Sequence, residues 1–203
     1  MSTTRSSKVH ILSQAAFISV LIIILQLLSS VLVKFGWFSI SLVLVPVVLG
    51  GILMGPKYGA FFGGVFGAVV TLFCIIGFDP GGYVLFNASP LLCILTCMVK
   101  GIAAGFIPAL VYQILYNSKH RPIFIIISAA LAPILNTGIF IACMFLFFKP
   151  TLYEWAGETN VMTYVITALV GFNFIFEFIL NVVLCPALFP ALLKSRNVIK
   201  LTK

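Results

Sequence analysis

The sequence predicts an all-α membrane protein: six transmembrane helices in one bundle, with both termini cytoplasmic. Three observations predict it. Of 203 residues, 62% are hydrophobic and only 8% charged, whereas a soluble domain carries about a quarter charged residues to cover its surface. The apolar residues fall into runs at roughly 11–33, 40–54, 58–77, 90–116, 122–148 and 161–193, and a span needs about 20 mostly apolar residues. The basic residues also sort by side. Arg5, Lys8, Lys57, Lys119, Arg121, Lys194, Arg196, Lys200 and Lys203 share one side with the termini. Lys34 and Lys149 stand on the other, with Asp79, Glu154 and Glu158. Lys and Arg concentrate in cytoplasmic loops, so the termini are expected inside. The net charge of +8 is thereby accounted for by topology, with no nucleic-acid partner implied. Six spans use up the chain, and 1–203 is expected to be a single transmembrane domain.

Taken in order, the first run follows a basic start, as in a signal peptide, but it is too long and no small-residue cleavage site follows. It is expected to stay as the first helix. The second run begins after Trp37, contains Pro46 and Gly50-Gly51, and is short for a span. Irregular backbone in lipid must be covered by protein or line a cavity, so this run is expected inside the bundle. Gly55-Pro56-Lys57-Tyr58-Gly59 reads as a tight turn. The third run carries Gly59, Gly63 and Gly67 at four-residue spacing, a ridge that lets another helix approach closely. Both internal packing and docking of a partner subunit fit this ridge. Asp79-Pro80-Gly81-Gly82 predicts a turn and an external loop over 78–89. Asn117-Ser-Lys-His-Arg-Pro122 predicts a short hairpin, and 149–160 is the longest polar connection.

The polar residues at depth carry the functional information. Lys100 lies ten residues past Pro90, about 15 Å into the membrane, and Glu177 lies about 24 Å past Val161. A charge near the midplane costs about 2.5–3.5 kcal/mol even on the lenient insertion scale. Asn173, Glu177 and Asn181 recur every four residues on one helix face. Asn136, beside Thr137 and Gly138, and Gln26 complete the set. A structural Lys100–Glu177 ion pair and the wall of a small-molecule pocket both fit these residues. Asn87 stands at the mouth of the fourth run. Cys74, Cys93, Cys97, Cys143 and Cys185 all lie in apolar runs and read as small hydrophobes. Cys93 and Cys97 are four apart, but no His or second Cys pair accompanies them, so no metal site is expected. No Walker motif, intramembrane-protease pair or H-E-x-x-H is present, and His10 and His120 sit at the membrane edge. The chain is expected not to be an enzyme.

The stretch from Pro46 through Gly50-Gly-Ile-Leu-Met-Gly-Pro-Lys-Tyr-Gly-Ala60, followed by the Gly-rich third run, resembles the substrate-binding S component of energy-coupling factor vitamin transporters. The resemblance covers nearly the whole chain in helix count, length and charge orientation. It implies a bacterial cell-membrane subunit that captures a water-soluble vitamin. A transmembrane T subunit and two cytoplasmic ATPase subunits would supply the energy, so the chain itself needs no cofactor. The Gly-Ile-Leu-Met-Gly-Pro-Lys-Tyr-Gly-Ala string resembles members of the pantothenate type, with riboflavin, folate or another vitamin as alternatives. The family's A-x-x-x-A docking motif is met imperfectly, by Ala15-x-x-x-Ser19 with Ser in place of the second Ala and Ala16 adjacent, and Gly59 and Gly63 are added to that docking set. Lys100 would then meet a ligand carboxylate, with Asn87, Asn136, Asn173 and Glu177 around it. A self-contained secondary carrier or channel, and a structural membrane protein, are the other classes these residues allow.

Overall fold

The computed structural model describes residues 2–34, 42–116 and 121–201. Trp37, the rest of 35–41 and the Asn117–His120 hairpin lie outside the described residues, as do the side chains of Arg5, Lys8, His10, Lys34, Arg196, Lys200 and Lys203. Among the described residues there is no strand. Helices α1 (Ser2–Lys34), α2 (Leu44–Met54), α3 (Pro56–Ile76), α4 (Pro80–Ala88), α5 (Pro90–Leu115), α6 (Arg121–Phe147), α7 (Lys149–Ala156), α8 (Val161–Tyr164) and α9 (Gly171–Leu201) follow in order. A π-helical segment, Val165–Val170, joins α8 to α9. Among the described residues, five helical segments are long and apolar enough to cross a membrane: Ile11–Val31, Pro56–Ile76, Pro90–Leu115, Arg121–Phe147 and Asn173–Lys194. The sixth expected run is the short one. The eleven residues of α2 rise only about 16 Å, half of a hydrocarbon core about 30 Å thick.

That short helix is the centre of the bundle. Leu44 through Ile52 are all buried, and α2 packs against α1, α3, α5, α6 and α9. A helix apolar all round has no face to give to water. Pro46 sits in its first turn, where the missing N–H breaks no helical bond. The chain then reverses on one residue: Gly55 adopts φ 104°, a conformation that L side chains rarely reach, and Pro56 opens α3.

Helices α3 and α5 form the closest seam, and glycine makes it possible. A methyl group at Gly59 would stand 2.3 Å from the Gly105 carbonyl oxygen, one at Gly63 2.1 Å from that of Gly101, and one at Gly67 2.7 Å from that of Cys97. The descending contacts show the two helices running antiparallel. Gly59 and Gly63 are buried in this seam, packed against the backbone of α5. By contrast α1 is the edge of the bundle: 11% of its apolar window is buried, against 44% for α3.

Two expected loops are helical. Asp79 caps α4, its Oδ1 accepting from the Gly82 backbone N–H at 3.0 Å, with Pro80 at the first helical position. The same Asp-Pro pair that signals a turn is also a helix start. The polar connection 149–160 likewise holds α7, whose Trp155 lies against Gly81 at the start of α4. The last span is not one helix: Gly171, at φ 31°, follows the π-helical segment and breaks it.

Candidate functional site

The polar residues at depth sit on α5, α6 and α9, and α6 packs against both of the others. On α5, Lys100 is half-buried. Its Nζ lies over the ring of Phe140 on α6, 5.1 Å from the centroid. The ammonium therefore faces an aromatic ring. The negative face of a ring attracts a cation, by about 2 kcal/mol or more where water is excluded.

One turn earlier on the same face of α6 comes Asn136. Its Oδ1 is buried and accepts no hydrogen bond. Three residues before it is Pro133, fully buried inside α6. Proline removes one N–H from the helix ladder and frees the carbonyl of residue i−4. Leaving a buried polar atom unsatisfied costs about 1–3 kcal/mol, so the Asn136 oxygen is an acceptor held ready. Thr96 Oγ1, one turn from Lys100 on α5, and Ser128 Oγ on α6 are buried and unsatisfied in the same way. Gln26 Oε1 on α1 is a further such atom.

On α9 the four-residue stripe runs from surface to interior. Asn173 is exposed, Glu177 is buried and Asn181 is fully buried. Asn181 donates through Nδ2 to the Glu177 carbonyl oxygen at 2.8 Å. This local bond to the preceding turn satisfies an amide in apolar surroundings. Asn87 stands apart from this group: it is exposed on α4 and donates to the Tyr83 carbonyl of its own helix at 3.0 Å. The α5–α6 interface thus gathers Lys100 and Asn136, whereas Asn87 and Asn173 point to the outside.

Thr96, Ser128 and Phe140 are the members of this set that the sequence reading passed over. The signal was available as spacing: Thr96 precedes Lys100 by four, and Ser128, Asn136 and Phe140 fall on one four-residue ladder. A small hydroxyl or another phenylalanine does not stand out among 20 Phe residues, and only a neighbouring helix assigns them a partner.

A cavity of about 660 Å³ lies elsewhere, between α1, α2 and α9. Ser13 and Gln14 are the polar residues of its lining, which is otherwise Phe17, Ile18, Leu49, Leu184 and similar side chains. It has room for a small ligand, yet it contains none of the expected ligand residues and offers few hydrogen bonds. Its chemistry suits a hydrocarbon chain. Beside it on α1, Ala15 is buried, Ser19 is half-buried and donates to the Ala15 carbonyl at 2.9 Å, and Ala16 is exposed. Leu12, Phe17 and Val20 extend the exposed apolar face around Ala16.

The family model described as ECF transporter, substrate-specific component, matches residues 12–189. The chain is 29% identical, over 207 aligned residues, to a protein of Lactococcus lactis subsp. cremoris (strain MG1363) named pantothenic acid transporter PanT. The alignment covers 97% of this chain and 99% of that one. No solved structure matches the chain.

Proposed function

The chain belongs to the family of ECF transporter substrate-specific components, and from that premise we propose that it captures pantothenate for ATP-driven uptake. The observation that carries the ligand is the α5–α6 interface. Pantothenate offers one carboxylate, one amide and two hydroxyl groups on a flexible aliphatic frame. Lys100, held over Phe140, answers the carboxylate. The unsatisfied acceptor of Asn136, one turn from Phe140, answers a donor. The full-length likeness to a protein named for pantothenic acid supports the same cargo. Glu177, buried on α9, belongs to the same proposed ligand set, and Asn173 and Asn87 serve at the mouth.

The orientation belongs to the same proposal. Six crossings with both termini cytoplasmic follow from the charge sorting, with α2 in the short crossing. The helices α4 and α7 then cover the external end, at the bacterial cell membrane. The exposed strip around Ala16, with Ala15 and Ser19 beneath it, docks a transmembrane T subunit, and two cytoplasmic ATPases complete the importer. In this reading the chain performs no reaction and holds no nucleotide.

Affinity purification of the chain from its own cells tests the assembly. It is expected to bring down one integral membrane subunit and two ATPase subunits, and pantothenate uptake in liposomes should need all of them with ATP. Uptake by this chain alone, driven by an ion gradient, would overturn the proposal.

A further inference from the structure

The fold brings together three cysteines that sequence spacing keeps apart. Cys74 lies near the end of α3, and Cys93 and Cys97 lie one turn apart near the start of α5. All three are buried, and their sulfur atoms lie within 4.8 Å of one another. They are free thiols. The antiparallel α3–α5 seam fixes this register, because the Gly67–Cys97 contact sets the two helices level. The start of α4 closes the cluster. Sγ of Cys93 is 3.8 Å from the Gly82 carbonyl oxygen. A methyl at Gly82 would stand 2.3 Å from Sγ of Cys74 and 3.0 Å from Oδ2 of Asp79. A carboxylate therefore stands at the rim of a three-sulfur pocket, less than one turn from the end of α3.

We infer that Cys74, Cys93 and Cys97 form a binding site for one thiophilic divalent cation of the zinc class, independent of the vitamin-binding reading. Cysteine thiolates bind zinc at about 2.3 Å, so three of them around one tetrahedral ion lie roughly 3.8 Å apart. The longest sulfur separation here must close by about 1 Å to reach that value, which side-chain torsions can supply. On binding, three S–H bonds break, three metal–sulfur bonds form and three protons leave to solvent. Charge selects the ion. In apolar surroundings a net charge is costly; a monovalent ion leaves two negative charges on the site and a divalent ion leaves one. The fourth position opens toward Asp79 or a water at the rim. The same ion would fasten α3, α5 and the start of α4 to one another.

The test is titration of the reduced, detergent-solubilised full chain with Co²⁺ as the spectroscopic probe, followed by Zn²⁺. One Co²⁺ per chain should give an intense thiolate-to-cobalt charge-transfer band, which one equivalent of Zn²⁺ abolishes. Cys74→Ser should weaken Co²⁺ binding by at least about tenfold, the lower bound for loss of even an outer-shell partner. Cys143→Ser should leave it unchanged. Where Cys74→Ser does not fold, maleimide labelling of the wild type replaces it. Zn²⁺ should then slow labelling at Cys74, Cys93 and Cys97 but not at Cys143. Absence of the band in the wild type, unweakened Co²⁺ binding by folded Cys74→Ser, or labelling indifferent to Zn²⁺ would overturn the inference.

Discussion

Lys100 and Asn136 hold the two unspent polar functions that matter most: a positive charge in apolar surroundings and an acceptor without a donor. The charge of Lys100 is tolerable because an aromatic ring stands beside it, and both residues gain from a ligand that supplies the missing partner. Hydrogen bonds to charged groups contribute about 1.5–3 kcal/mol, which corresponds to roughly 10- to 100-fold in Kd. Lys100→Met, which keeps the length of the stem and removes the charge, should therefore weaken pantothenate binding by about that factor while leaving the thermal midpoint unchanged or raised. Calorimetry and thermal unfolding on one preparation read both quantities. A variant that binds normally would return Lys100 to a purely structural role. Depth along the helix was enough to single out Lys100, Asn136 and Glu177 in the sequence. What depth could not tell was the neighbour. That Lys100 faces Phe140 depends on how α5 and α6 are rotated against each other, and one chain's spacing does not encode that rotation.

At the scale of elements, the α3–α5 seam and the α4 cap account for the local architecture. Gly63→Ala would push a methyl to 2.1 Å from a backbone oxygen, whereas one residue on, Gly64→Ala meets nothing nearer than Ile102 Cγ1 at 3.8 Å. Overpacking costs about 1–3 kcal/mol, so the first variant should unfold at a clearly lower temperature and the second at the wild-type temperature. Equal midpoints would mean that the seam is looser than its geometry. At the start of α4, Asp79→Ala should cost about 1 kcal/mol by loss of the cap, and Asp79→Asn, an equally good cap, should cost little. The glycine ridge was legible as a close-packing face because only a side chain of no size serves that purpose. Its partner helix was not, since internal and external partners ask for the same residues. The Asp79-Pro80 pair misled for a related reason: a turn and a helix start share their chemistry, and α4 is short enough for both readings. Cys74, nineteen residues before Cys93, joined its cluster only through the register of two antiparallel helices.

Across the whole molecule, the polar α5–α6 interface and the exposed apolar edge of α1 are separate surfaces, and the proposed function gives each a task. They should come apart by mutation. Ala16→Trp on the exposed edge should reduce co-purification of the ATPase subunits and leave pantothenate binding intact; Lys100→Met should do the reverse. Loss of both functions in either variant would mean that the two surfaces are not independent. Composition and charge sorting already carried the helical membrane class. They did not carry the unevenness of the bundle, in which an eleven-residue helix is the core and a π-helical break interrupts the last span, because hydropathy counts apolar residues without registering where a helix stops. The central claim is that this chain alone, without ATP, binds pantothenate at one internal site. The most direct measurement is isothermal calorimetry of the purified, detergent-solubilised chain with pantothenate, and with riboflavin, thiamine, biotin and folate for comparison. The account predicts saturable binding of one pantothenate per chain and none of the others at equal concentration. Saturable binding of a different vitamin, or no saturable binding of pantothenate by a folded chain, would contradict it.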